Sequence, residues 1–187
     1  MNIKLLIQNI SNFLLDKFIQ LIGVVLILFS IFVILALSTY SAEDPNFIFS
    51  NNNEIKNIFG FQGSIISDFL LQTMGLVSFL LSITLFVTGI NVMIKKKLLI
   101  ILENFFYTIL YIIFGTLFLG IFYLNSFWLP VNGNGGFVGN ILTKSYLENI
   151  ILINKEISYY ILILIISLFF LKSINFSLIA FIKLIKK

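Results

Sequence analysis

The chain has 187 residues, 59% of them hydrophobic and 11% charged, with a formal net charge of +4 and a mean hydropathy of +1.08. An ordinary soluble domain carries roughly 25% charged residues, so a water-soluble globular fold is excluded and lipid is the natural solvent. With no Cys and no His, thiolate and imidazole metal sites, disulfide scaffolds and His-bearing catalytic triads are excluded as well.

Ile3, Ile7, Ile10 and Leu14 recur at helical spacing, with Gln8, Asn9, Asn12 and Asp16 on other faces. Residues 1–17 therefore read as an amphipathic segment lying in the cytoplasmic interface, or as a forward extension of the first span. The first span covers about 18–40, inside an uncharged stretch between Lys17 and Glu43. It exceeds the roughly 20 helical residues a bilayer needs and is too long for a signal-peptide core. The second span, about 69–94, is closed by Lys95, Lys96 and Lys97, and the third covers about 104–124. The fourth, about 157–176, contains Lys172, whose stem can snorkel to the headgroups. Residues 18–176 thus form one membrane domain, an all-α four-helix transmembrane bundle, and 177–187 a basic cytoplasmic tail or the start of a linker.

Lysine placement gives the expected orientation. Lys4, Lys17, Lys95 to Lys97, Lys172, Lys183, Lys186 and Lys187 fall on one side, while the other two connections hold Lys56, Lys144 and Lys155 against six acidic residues. By the positive-inside rule both termini are expected in the cytoplasm. The net charge is explained by this topology and predicts no direct nucleic-acid contact.

The first outer loop opens Thr39-Tyr40-Ser41-Ala42-Glu43-Asp44-Pro45, an interfacial aromatic followed by a helix-ending Pro. It continues to Asn57, Gly60, Gly63 and Asp68, where the glycines suggest a turn ahead of the second span. The second outer loop runs Trp128-Leu129-Pro130-Val131-Asn132-Gly133-Asn134-Gly135-Gly136-Phe137-Val138-Gly139. It is not a phosphate-binding loop, because no Gly-Lys-Ser/Thr follows; a tight turn or a segment dipping toward the membrane fits better. Gly75, Ser78, Ser82 and Gly89 are small enough to let the second span approach a neighbour closely. No catalytic, cofactor-binding or metal-binding constellation is found.

These three landmarks resemble the amino-terminal four-helix membrane region of FtsK/SpoIIIE DNA translocases. The family pattern is close to Leu-x-Thr-Tyr-Ser-Pro-x-Asp-Pro after the first helix, and Leu37 to Pro45 matches it except at Ala42. Asn57, Gly60, Gly63 and Asp68 match the pattern before the second helix, and Pro130, Gly135, Gly136 and Gly139 echo the one before the fourth, with one extra residue. The resemblance implies a membrane anchor at the septum of the bacterial inner membrane, contacts with division proteins, and a homo-oligomer, a hexamer by analogy with the family motor. Thr39, Tyr40, Ser41, Asp44, Pro45 and the later motif residues are the implied partner-contact positions. ATP and Mg are implied only for the family's motor, whose Walker motifs and arginine finger do not occur in these 187 residues. The chain is expected to be the membrane piece of a longer protein or a separate anchor polypeptide, and not an enzyme by itself. The alternative is a small inner-membrane transporter or channel subunit, against which stand the uncharged spans and the expectation of unbroken helices.

Overall fold

The computed structural model describes residues 3–45 and 54–177, and among these all regular structure is helical. Seven α-helices follow in chain order: α1 (Ile3–Ser38), α2 (Gly60–Met74), α3 (Ser78–Lys95), α4 (Leu99–Phe122), α5 (Gly136–Thr143), α6 (Tyr146–Ile153) and α7 (Lys155–Ser173). Among the described residues four stretches are long and apolar enough to cross a membrane: Ile7–Ser38, Gly60–Lys95, Leu99–Phe122 and Lys155–Ser173. The basic tail expected over 177–187 lies outside the described residues from 178 onward.

α1 is one 36-residue helix, about 54 Å long, so the amphipathic residues at its start continue straight into the span with no turn between them. The second span differs from the sequence expectation. It begins at Gly60, not near 69, and it is broken: α2 and α3 are joined by a single 3-10 turn, Gly75–Val77. Gly75 has φ 61° and ψ −148°, a conformation open essentially to Gly alone. An uncharged run reports hydropathy but not continuity, which is why the break is silent in the pattern.

The spans pack in the order α1, α3, α4, α7. α1 and α3 run antiparallel along a seam whose contacts recur every seven residues on both helices. Asp16 pairs with Lys96 at 2.7 Å, Gly23 faces Gly89, and the Ser30 hydroxyl donates to the Ser82 carbonyl at 2.9 Å. At the middle contact the backbones nearly touch: a Cβ on either glycine would lie 2.7 Å from the other's carbonyl oxygen. Lipid provides no hydrophobic drive between helices, so such close backbone packing carries the association. Beyond it, Val33, Leu37, Leu71 and Leu129 form a buried cluster uniting α1, α2 and the loop before α5.

α4 and α7 meet through aromatic side chains. Phe169 stacks between Tyr107 and Phe114, and Tyr111 meets Phe170 edge-on. A polar ladder joins α3, α4 and the end of α7: Thr84 lies 3.1 Å from both the Tyr111 and the Ser173 hydroxyls, and Asn104 donates to Thr88 at 2.8 Å. The Asn175 side-chain amide donates to Asn104. Among the described residues no buried side-chain N or O lacks a partner. The α3–α4 turn, the start of α1 and the end of α7 are therefore together at one end of the bundle, the lysine end. Residues 39–45, 54–59 and 123–154 cluster at the other, the loop end.

Gly89→Ala is expected to destabilise the bundle by about 1–3 kcal/mol, because the new methyl meets backbone on both sides. The unfolding midpoint in mixed detergent micelles measures this; a change below about 0.5 kcal/mol would show that α1 and α3 are not held at backbone distance.

Candidate functional site at the loop end

The landmark residues before the second span are assembled by one buried carboxylate. α1 ends at Ser38, and Thr39 caps it by donating from its hydroxyl to the Leu35 carbonyl at 2.9 Å. The chain then turns, the Asp44 amide donating to the Ser41 carbonyl at 3.2 Å. This brings Asp44, only 4% exposed, under the strand of chain that returns toward α2. One carboxylate oxygen accepts the Lys56 amide and the other the Asn57 amide, each at 2.9 Å.

Asn57, equally buried, extends the clasp in three directions. Its side-chain amide donates to the Ala36 carbonyl at 2.8 Å and to the Ser67 hydroxyl at 3.4 Å, and its side-chain oxygen accepts the Phe59 amide at 3.1 Å. Gly63 is required beneath it, since a Cβ there would sit 2.0 Å from the Asn57 side-chain oxygen. Gly60 serves differently: its φ of 60° turns the chain into α2, with open space around it. The Ser64 hydroxyl donates to the Pro45 carbonyl at 2.8 Å, and the Thr39 hydroxyl accepts the Ile58 amide at 3.3 Å. Thr39, Ser41, Asp44, Pro45, Asn57, Gly60 and Gly63 thus belong to one folded unit.

Tyr40 and Asp68 begin a second network. The phenol donates to the Asp68 carboxylate at 3.2 Å, and the Gln72 amide donates to both at 3.3 and 3.4 Å. Gln72 in turn accepts from the Asn132 amide at 2.9 Å, and the Asn140 amide donates to the Asn132 carbonyl at 3.1 Å. This bridge connects the two loops. The sequence reading missed Gln72, Asn132 and Asn140, whose only signal is that polar amides stand where apolar residues would otherwise face the interface.

The third landmark does not join the clasp. Gly135, Gly136 and Gly139 pack against α4 and the break in the second span: a Cβ at Gly135 or Gly139 would meet the Thr116 carbonyl within 2.7 Å, and one at Gly136 the Gly75 amide at 2.5 Å. The Leu76 amide donates to the Asn134 carbonyl at 3.0 Å, so the glycine loop satisfies the opened helix. Pro130 is exposed beside buried Leu129. These glycines are filled with protein and cradle nothing.

Between the two loops lies a groove. Tyr40, Ser41 and Glu43 with Lys56 form one side, and Phe127 and Trp128, 97% and 53% exposed, form the other. Glu43 and Lys56 pair across 2.6 Å at the rim, both exposed; their hydrogen bond holds the carboxyl below its usual range and lifts the ammonium above its own. Aromatic faces beside hydroxyls and a solvated ion pair make a surface suited to contact with another polypeptide.

Asp44→Ala leaves the Lys56 and Asn57 amides without their acceptor and is expected to cost about 2–4 kcal/mol, with Asp44→Asn costing less because one acceptor oxygen is kept. Detergent unfolding of the two variants reads this directly; equal, near-zero effects would remove the clasp from the account.

Comparison with protein-family models matches residues 17–186 to the 4TM region of DNA translocase FtsK/SpoIIIE. Comparison with curated proteins and with solved structures gave no match. The match spans nearly the whole chain, and among the described residues beneath it the regular structure is helical, with four spans of membrane-crossing length. The chain belongs to the family formed by the 4TM regions of FtsK/SpoIIIE DNA translocases.

Proposed function

We propose that this chain is the membrane anchor of an FtsK-like DNA translocase, positioning the chromosome-segregation motor at the division septum of the bacterial inner membrane. The family match is the observation that carries this reading. The lysine end faces the cytoplasm, where the motor works, and the loop end faces outward. Supporting that sidedness, Lys95, Lys96, Lys97 and Lys172 stand at the lysine end, while acidic residues predominate in the loop-end connections. The groove between Tyr40, Ser41 and Trp128 is the surface that meets division proteins, and several copies assemble side by side in the membrane. ATP and Mg belong to the motor; the chain contributes attachment, not catalysis.

One observation favours the alternative of a transporter or channel subunit: the second span is a broken helix, as in many transporters. Its opened backbone, however, is filled by protein, with the Leu76 amide bonded to Asn134 and the Gly75 carbonyl accepting the Ser78 hydroxyl at 2.7 Å. Within Gly60–Lys95 the ionisable side chains are Asp68, bonded to Tyr40 and Gln72 near the loop end, and Lys95 at the opposite terminus, with none between them to line a path. The break serves packing, and the anchor is the better reading.

Two measurements test the proposal. The chain has no native Cys, so single cysteines are unambiguous: a membrane-impermeant thiol reagent added outside is expected to label Val131→Cys and spare Lys97→Cys, and the reverse pattern would invert the topology. A fluorescent fusion is expected to concentrate at mid-cell in dividing cells, whereas uniform membrane staining would contradict septal placement.

A further inference from the structure

The ends of α4 and α7 at the loop end form an aromatic cleft distinct from the groove described above. Tyr159, one turn into α7, meets Phe122 edge-on at 5.1 Å and Phe118 at 5.2 Å, and its hydroxyl lies 2.8 Å from that of Tyr123. Tyr160 stands against Tyr159 at 5.5 Å and is 72% exposed. Lys155 places its ammonium 5.8 Å from the centre of the Phe122 ring, and Glu156 follows it in the first turn. Together Phe122, Lys155, Glu156, Tyr159 and Tyr160 line an open cleft of about 580 Å³, within the range of small-molecule sites.

Three properties limit what fits. The cleft sits where two helices long and apolar enough to cross a membrane end, which on the anchor reading is the level of the headgroups. Three of its five lining residues are aromatic, and aromatic faces attract cations. Its charges are one of each sign, and among the described residues neither is ion-paired, so the site is dipolar with no net charge. An anionic headgroup without an ammonium would place negative charge beside Glu156 and leave the aromatic faces unused.

We propose that this cleft binds the headgroup of a zwitterionic, ammonium-bearing phospholipid. Lys155 meets the phosphate, and Glu156 with the faces of Tyr159 and Tyr160 holds the ammonium. Bound lipid there fastens the start of α7, the span with the least buried surface, to the end of α4.

The test is native mass spectrometry of the full chain released from vesicles of equal parts phosphatidylethanolamine, phosphatidylcholine and phosphatidylglycerol. Wild type is expected to retain the two ammonium-bearing lipids about two- to fivefold over phosphatidylglycerol, the range an exposed cation–aromatic contact provides. Glu156→Gln and Tyr160→Ala each bring that ratio toward one, and Lys172→Gln, at the lysine end, leaves it unchanged. Tyr160 is exposed, so its variant reports on binding with the fold intact, as thermal unfolding by circular dichroism verifies. Equal retention of all three lipids, preference for phosphatidylglycerol, or a ratio indifferent to Glu156 and Tyr160 would overturn the proposal.

Discussion

Lipid accepts no hydrogen bonds, and the whole architecture answers to that constraint. Wherever the chain departs from a continuous helix at membrane depth, another part of the same chain must supply the missing partner. At Gly75–Val77 the supplier is the glycine loop, through the Asn134 carbonyl, and the loop reaches that far only because Gly135, Gly136 and Gly139 have no side chains. Buried hydroxyls obey the same constraint: Ser78 returns to Gly75, Thr108 to Asn104, and Ser30 crosses to the carbonyl of Ser82.

The seam between α1 and α3 and the break are parts of one design. Gly23 and Ser30 on one helix face Gly89 and Ser82 on the other, at the seven-residue period of a left-handed antiparallel pair. One further repeat along the second span reaches Gly75, where the helix breaks and α2, still packed on α1, also meets α5. Above that point α1 is held by larger apolar residues, Val33 and Leu37 against Leu71 and Leu129, and then by the Asp44 clasp.

Much of this was legible in the residues alone. The four spans follow from uncharged runs, and the motif residues around Asp44 and Asn57 do gather into one unit. Their mutual role was not legible, because a carboxylate that accepts two amides 12 and 13 residues away leaves no periodic trace. The break was hidden for the same reason, since Gly75 depends on a carbonyl contributed by Asn134, in a different loop. The polar ladder does leave a signal in the sequence: Thr84 and Thr88 on α3, and Asn104, Thr108 and Tyr111 on α4, recur on single helical faces inside otherwise apolar spans. The groove beside Phe127 and Trp128 combines two loops that no local pattern links.

The ladder's position at the end of α7 sets how the bundle would carry tension. A pull applied through the residues after Ser177 arrives at Asn175 and Ser173, which are tied crosswise to Asn104 on α4 and to Thr84 on α3. The stress then spreads over three helices in shear, with many contacts loaded at once, and the last helix is not peeled away turn by turn. A bundle built in this manner resists a pull from that end better than its few polar links alone would provide.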